Sequence, residues 1–176
     1  MIKKILTYYA SRLNEYLSAL HRQPEGMVEV GFIGNSAEIK PNKMVVTLIS
    51  VERETASGIS APVRRTMEGY TRMTPPLLLN LNIMLAAVYD EKRYAESLSV
   101  LSDSLKFVQS VPRFDIDSVD YSIEIVSLST QDANNIWTTL GGQYYPSVMC
   151  KIRRLLIDAE EITASGSLSR KQTVSL

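Results

Sequence analysis

The sequence is poor in the residues that most often carry out chemistry. Its 176 residues include one cysteine and one histidine, Cys150 and His21. A single cysteine cannot form a disulfide within the chain, and a single histidine excludes a pair of histidines on a metal ion. Nucleophilic catalysis by Cys150 would need His21 as its base. We therefore predict a buried core role for Cys150, a surface position for His21, no enzyme activity and no cofactor.

The chain also lacks net charge and long apolar runs. It contains 19 basic and 19 acidic residues, so its formal net charge is zero. A nucleic-acid-binding protein normally shows a basic excess, whereas a balanced surface favours association with other proteins. No apolar run is long enough to cross a bilayer, and polar residues interrupt the N-terminal apolar pattern too early for a signal peptide. These absences predict a cytoplasmic protein that binds neither nucleic acid nor membranes.

Three further motifs lack what their chemistry would require. Asp115 and Asp117 are not accompanied by the other oxygen ligands and the glycine of a calcium loop, so we expect solvated acids in a loop. The segment 31–35 contains two glycines but is followed by neither Lys-Ser/Thr nor a strong helical pattern, as a phosphate-binding loop would be. The glycine pair at 141–142 follows a helical pattern instead of preceding one. No enzyme signature remains.

The most regular pattern is a run of alternating aliphatic residues. Every odd position from 77 to 87 is aliphatic: Leu77, Leu79, Leu81, Ile83, Leu85 and Ala87. A period of two places these residues on one face of a strand. The preceding pair of prolines fits only at the start of such a strand, because proline has no N–H to donate to the sheet. The pattern predicts a long strand in the centre of a sheet.

Three helices are predicted from apolar residues at helical spacing. The first runs from Ile2 to Leu20 and ends before Pro24 and Gly26. The second begins after Asp90, and its expected buried stripe is Tyr94, Leu98, Leu101, Leu105 and Val108, with Asp103 and Lys106 on the solvent side. The third begins at a capping box, Ser129 and Asp132, and buries Ala133, Ile136, Trp137 and Leu140. For Trp137 a core position is favoured over an interface anchor.

Four further strands complete the predicted sheet. We expect a weak strand at 27–39 and stronger strands at 43–54, 121–128 and 147–157. The strands at 43–54 and 77–87 are neighbours in sequence and are expected to pair in antiparallel fashion. The element order favours an α+β fold, a mixed, largely antiparallel β-sheet packed by an N-terminal helix and two further helices.

Two polar regions are candidate partner surfaces. Residues 55–74 are predicted to form a long exposed loop, and its Arg64, Arg65 and Arg72 fit either an acidic partner or plain solvation. The last strand carries Lys151, Arg153 and Arg154, which suggests that one end or face meets solvent or a partner. We divide the chain into a domain at 1–158 and a polar C-terminal tail or arm at 159–176, mobile or ordered only on binding.

Several segments together resemble one known family. The most specific are Pro75-Pro76-Leu77-Leu78-Leu79-Asn80-Leu81 and the run Asn134-Asn135-Ile136-Trp137-Thr138-Thr139-Leu140-Gly141-Gly142-Gln143-Tyr144-Tyr145-Pro146-Ser147-Val148. With Leu13-Asn14, Asn42-Lys43 and the Tyr94 helix, they are similar to the N-terminal domain of tube-terminator or cap proteins of contractile injection systems of the antifeeding-prophage type. The resemblance covers roughly residues 1–158.

This resemblance implies a fold like that of phage tail terminators and a structural function. Such a protein would form a homohexameric ring on the distal end of the inner tube, stop tube growth and anchor the last layer of the sheath. Its partners would be further copies of itself, the inner tube protein and the sheath protein, within an assembled particle. An adaptor or baseplate-type docking component is the alternative, and a small hydrolase is disfavoured because no base accompanies any nucleophile. A strand contributed by the tail to a sheath subunit is a further hypothesis.

Overall fold

The structure is a computed structural model that describes residues 1–23, 26–34, 41–54, 63–66, 69–73, 76–157 and 162–167. Its helices and strands are α1 (Ile2–His21), β1 (Val28–Val30), β2 (Lys43–Arg53), β3 (Val63–Thr66), β4 (Gly69–Met73), β5 (Leu77–Val88), α2 (Tyr94–Ser110), β6 (Arg113–Ile116), β7 (Val119–Val126), α3 (Thr130–Thr139), β8 (Ser147–Ile157) and β9 (Ile162–Ser167). A short 3-10 helix, Glu91–Arg93, precedes α2. The chain forms two compact units, the first made of Met1–Glu52 and Asn80–Arg154 and the second of Arg53–Leu79 and Leu155–Leu176.

Most strands belong to one mixed sheet of six, in the order β1-β2-β5-β8-β7-β6. Strand β1 is parallel to β2, whereas β7 is antiparallel to both β6 and β8. Asn82 of β5 contacts Ser50 of β2, and the Glu54 N–H donates to the Leu78 carbonyl at 2.8 Å. Residue numbers therefore rise along β2 as they fall along β5, which makes this pair antiparallel. The predicted pairing, the central place of β5 and the α+β fold are confirmed.

The first helix covers one face of this sheet. Its buried residues recur at helical spacing and are Ile5, Leu6, Tyr9, Ala10, Leu13 and Leu17. This confirms the predicted stripe except at its end, where Leu20 is 52% exposed. Aromatic rings extend the packing, because Tyr9 lies 5.7 Å from Phe107 of α2 and 5.4 Å from Phe114 of β6 between ring centroids. These contacts join α1 to α2 and to the outer strand of the sheet.

The third helix covers part of the opposite face. Trp137 of α3 packs in a cluster with Met84, Ala86, Val88, Tyr145 and Met149. Met149 and Cys150 are consecutive strand residues and so point to opposite faces, and Tyr9 of α1 lies near Cys150. Ser129 caps α3 as predicted: its Oγ accepts from the Asp132 N–H at 3.1 Å and donates to the Asp132 carboxylate at 2.6 Å.

The second helix is rotated relative to its predicted orientation. Its buried residues are Ser97, Val100, Asp103, Ser104, Phe107 and Val108. Of the predicted stripe only Val108 is fully buried, whereas Tyr94 is 54% and Leu98 42% exposed. Ser97 and Ser104 fit inside the helix, because each hydroxyl donates a hydrogen bond to a backbone carbonyl one turn earlier. The small serine side chains let the helix approach its neighbours closely, so the leucine stripe lies to the side of the contact.

The predicted loop at 55–74 contains two strands. Strands β3 and β4 form an antiparallel hairpin, and β9 pairs with β4 to complete a sheet of three. The prediction of a long loop is therefore wrong at 63–66 and 69–73. The sequence signal was weak because these strands are short and polar, and a strand of this kind is stabilised by its pairing more than by propensity.

The C-terminal segment is also partly regular. Strand β9 lies within residues 159–176, which the sequence predicts to be a tail or arm, and it pairs within its own chain from Ile162 to Ser167. Residues 158–161 and 168–176 lie outside the described part of the chain, so the tail prediction is not assessed there.

Two smaller predictions differ from the structure. Asp115 lies in β6 instead of a loop, although it and Asp117 are exposed acids as expected, and Asp117 is paired with Lys4. The weak strand expected at 27–39 is limited to Val28–Val30 among the described residues, and 35–40 lie outside them.

Candidate interaction surfaces

The three predicted cations of β8 have partners within the chain. Lys151 Nζ donates to Glu52 Oε2 at 2.8 Å, and Arg153 Nε donates to Glu124 Oε1 at 2.9 Å. Arg154 pairs with Asp120 at 3.2 Å. These pairs join β8 to strands on both sides, because Glu52 lies in β2 and the other two acids lie in β7. The three cations therefore form cross-strand ion pairs, which makes them less available to a partner protein.

Asn82 connects the same region to β2. Its Nδ2 donates to Ser50 Oγ at 2.9 Å and to Glu52 Oε1 at 2.6 Å. The pKa of Glu52 is lowered, mainly by the hydrogen bond from Lys151 and then by the one from Asn82. Both donors stabilise the ionised carboxylate. We call Ser50, Glu52, Asn82, Lys151, Arg153 and Glu124 the polar patch, and its groups largely satisfy one another.

The remaining predicted arginines lie in the small sheet. Arg64 pairs in register with Thr71, and Arg65 with Tyr70. Arg72 pairs with Val63 on one side and with Ala164 of β9 on the other. The structure thus places these three residues on two paired strands of the second unit, and it places Lys151, Arg153 and Arg154 in the first unit.

His21 is not the surface residue that the sequence predicts. Its Nε2 lies 3.0 Å from Asp103 Oδ2, and its side chain is 20% exposed. Lys106 Nζ donates to Asp103 Oδ1 at 2.8 Å. The pKa of Asp103 is lowered, chiefly by the hydrogen bond from Lys106. The sequence does not predict this contact, because Asp103 and Lys106 have the pattern of a solvated helix face. No local signal indicates that α1 ends beside them.

Cys150 and Trp137 lie in the core as predicted. Cys150 is fully buried, and burial raises the pKa of its thiol to about 12. A thiol with such a pKa is almost entirely protonated at neutral pH, whereas nucleophilic attack requires the thiolate. Trp137 is 5% exposed and contacts Tyr144 and Tyr145.

The described residues contain no group of three or more histidine, cysteine, aspartate or glutamate side chains placed to hold a metal ion. Among the same residues, no helix is both long and apolar enough to cross a membrane.

Two apolar surfaces were not predicted from the sequence. The first is the α2 ridge, formed by Tyr94, Leu98, Leu101 and Leu105, of which the first two are exposed and the others half-buried. These residues are four, three and four positions apart and lie along one line of the helix. The sequence contains the signal, but it favours this stripe as core because the competing face of α2 is half polar.

The second is the α3 groove, a cavity of about 370 Å³ lined by Phe32, Leu48, Ile49, Asn135, Ile136, Thr139 and Leu140. Phe32 is 78% exposed, and its ring lies over Gly34 so closely that a Cβ there would come within 2.5 Å of a ring carbon. Glycine at 34 is therefore needed for this ring position. The groove has little signature in the sequence, because its walls come from three distant segments.

Residues 5–171 match the family described as the Pvc16 N-terminal domain. The chain belongs to this family. The match confirms the resemblance seen in the sequence, and it extends past residue 158 through the described strand β9.

Solved structures share the fold of this Pvc16 N-terminal domain. One is the sheath/tube terminator of an extracellular contractile injection system, PVC, in its extended state, with a TM-score of 0.61 and 10% identity. Another is the tube-terminating cap of the anti-feeding prophage, with a TM-score of 0.56 and 11% identity. They are matched over 93% and 97% of this chain, which spans about three fifths of each of theirs, 61% and 59%. No curated protein matches the chain.

Proposed function

We propose that this chain is a structural cap of a contractile, phage-tail-like injection particle. It would sit on the distal end of the inner tube, stop tube growth and anchor the last sheath layer. The observation that carries the proposal is the fold, which a sheath/tube terminator and a tube-terminating cap share over nearly all of this chain. Membership of the Pvc16 N-terminal domain family supports the same role.

The proposed assembly is a homohexameric ring in contact with tube and sheath proteins. A ring is built by one heterologous contact that repeats until it closes, so each copy needs two complementary surfaces. The balanced charge of the chain, 19 basic and 19 acidic residues, favours such self-association over solubility as a single copy. The tube and sheath would then be bound by surfaces that the ring leaves exposed.

A structural role also fits the state of the candidate reactive groups. The Cys150 thiol is buried with a raised pKa, so it is a poor nucleophile. The imidazole of His21 faces Asp103 at 3.0 Å, which makes it part of the contact between α1 and α2. We therefore propose that the chain acts by binding and not by catalysis.

The hairpin of β3 and β4 is the proposed contact with an acidic partner surface. It carries Arg64, Arg65 and Arg72 on neighbouring strands, and the β8 cations already form ion pairs with acids of the first unit. Strand β9 forms the other margin of this small sheet, and a sheath strand that added there would use main-chain hydrogen bonds. We infer that tube and sheath contacts lie on this sheet.

The test is to polymerise inner tube protein with and without the purified chain and to measure tube lengths by electron microscopy. A cap gives shorter tubes of narrower length distribution, with density for the chain at one end. Tubes of unchanged length with the chain bound elsewhere would overturn the cap and favour the adaptor or docking component.

A second arm of the test addresses the arginines. Replacing Arg64, Arg65 and Arg72 by serine should reduce binding to tube or sheath protein, and the matched control replaces Lys151, Arg153 and Arg154. A truncation after Ser167 keeps β9 and asks whether the segment beyond it retains the sheath. If both triple variants bind tube or sheath protein equally, the hairpin of β3 and β4 does not form the proposed contact.

A further inference from the structure

We draw no further inference here: the strongest candidate, the pair of apolar surfaces that the α2 ridge and the α3 groove form on the first unit, carries nothing because nothing in the described part of the chain shows what covers either of them.

Discussion

His21 and Asp103 connect the end of α1 to the middle of α2. The imidazole Nε2 lies 3.0 Å from Asp103 Oδ2, and the other carboxylate oxygen accepts from Lys106 at 2.8 Å. The Asp103 side chain is 11% exposed, so both of its oxygens are held away from bulk water. One carboxylate therefore fixes the relative position of two helices.

Replacing Asp103 by Asn should lower the free energy of unfolding at pH 7 by about 1–3 kcal/mol, because a charged hydrogen-bond acceptor is lost. The folded pKa of Asp103 is lowered from its ordinary 3.8, so its stabilisation is present above that value and is lost as the pH falls through the folded pKa. Urea unfolding at pH 7 and pH 3 should show a difference that shrinks in acid. Glu15→Gln, at an exposed pair with Arg12, is the control and should change little.

Helix α2 shows what the sequence could and could not predict. Period and capping predicted α1, β5, β8 and the start of α3, because each has one dominant apolar pattern or a local cap. Helix α2 has two candidate core faces, one of large apolar residues and one half polar, and the choice between them depends on how closely Ser97 and Ser104 allow the helix to approach its neighbours. That choice depends on tertiary packing, so the sequence pattern wrongly assigns the α2 ridge to the core. The groove was missed for a related reason, since its walls meet only after folding.

Tyr9 provides a test of the α1 core. Its ring is 1% exposed and, among the described residues, its hydroxyl has no hydrogen-bond partner. Tyr9→Phe should leave stability unchanged or raise it slightly, because it removes a buried polar group without changing the packing. Tyr9→Ala should cost about 3–5 kcal/mol through the lost ring contacts with Phe107 and Phe114. Thermal unfolding of both variants separates the two effects, and a destabilised Phe variant would show that the hydroxyl is bonded.

Gly142 provides a test of the end of α3. Its φ is +81°, and its N–H donates to the Trp137 carbonyl at 2.7 Å. Residues other than glycine rarely adopt this backbone conformation, although a Cβ at 142 would meet no atom within 4 Å. Gly142→Ala should therefore cost about 1 kcal/mol from backbone strain alone. Gly31→Ala, where an added Cβ makes only ordinary contacts, is the matched control in the same unfolding assay.

Asn82 holds the polar patch together, and its loss should be visible in the titration of Glu52. The amide donates to Glu52 at 2.6 Å and to Ser50 at 2.9 Å from a side chain that is largely buried. Asn82→Ala removes one donor, so the pKa of Glu52 should rise toward its ordinary 4.5, while Lys151 keeps it below that value. Stability at pH 7 should fall by about 1–3 kcal/mol.

The pH dependence of this variant has a defined sign. Glu52 stabilises the folded state above pH 4.5 and loses this effect as the pH falls through its lowered folded pKa, so the acid-side slope should be smaller in Asn82→Ala than in wild type. The slope is measured by urea unfolding between pH 3 and pH 7, with the exposed α3 residue Asn134→Ala as control. An unchanged slope would mean that Lys151 and Arg153 set the lowered Glu52 pKa, and the patch would then depend on these cations and not on the buried amide.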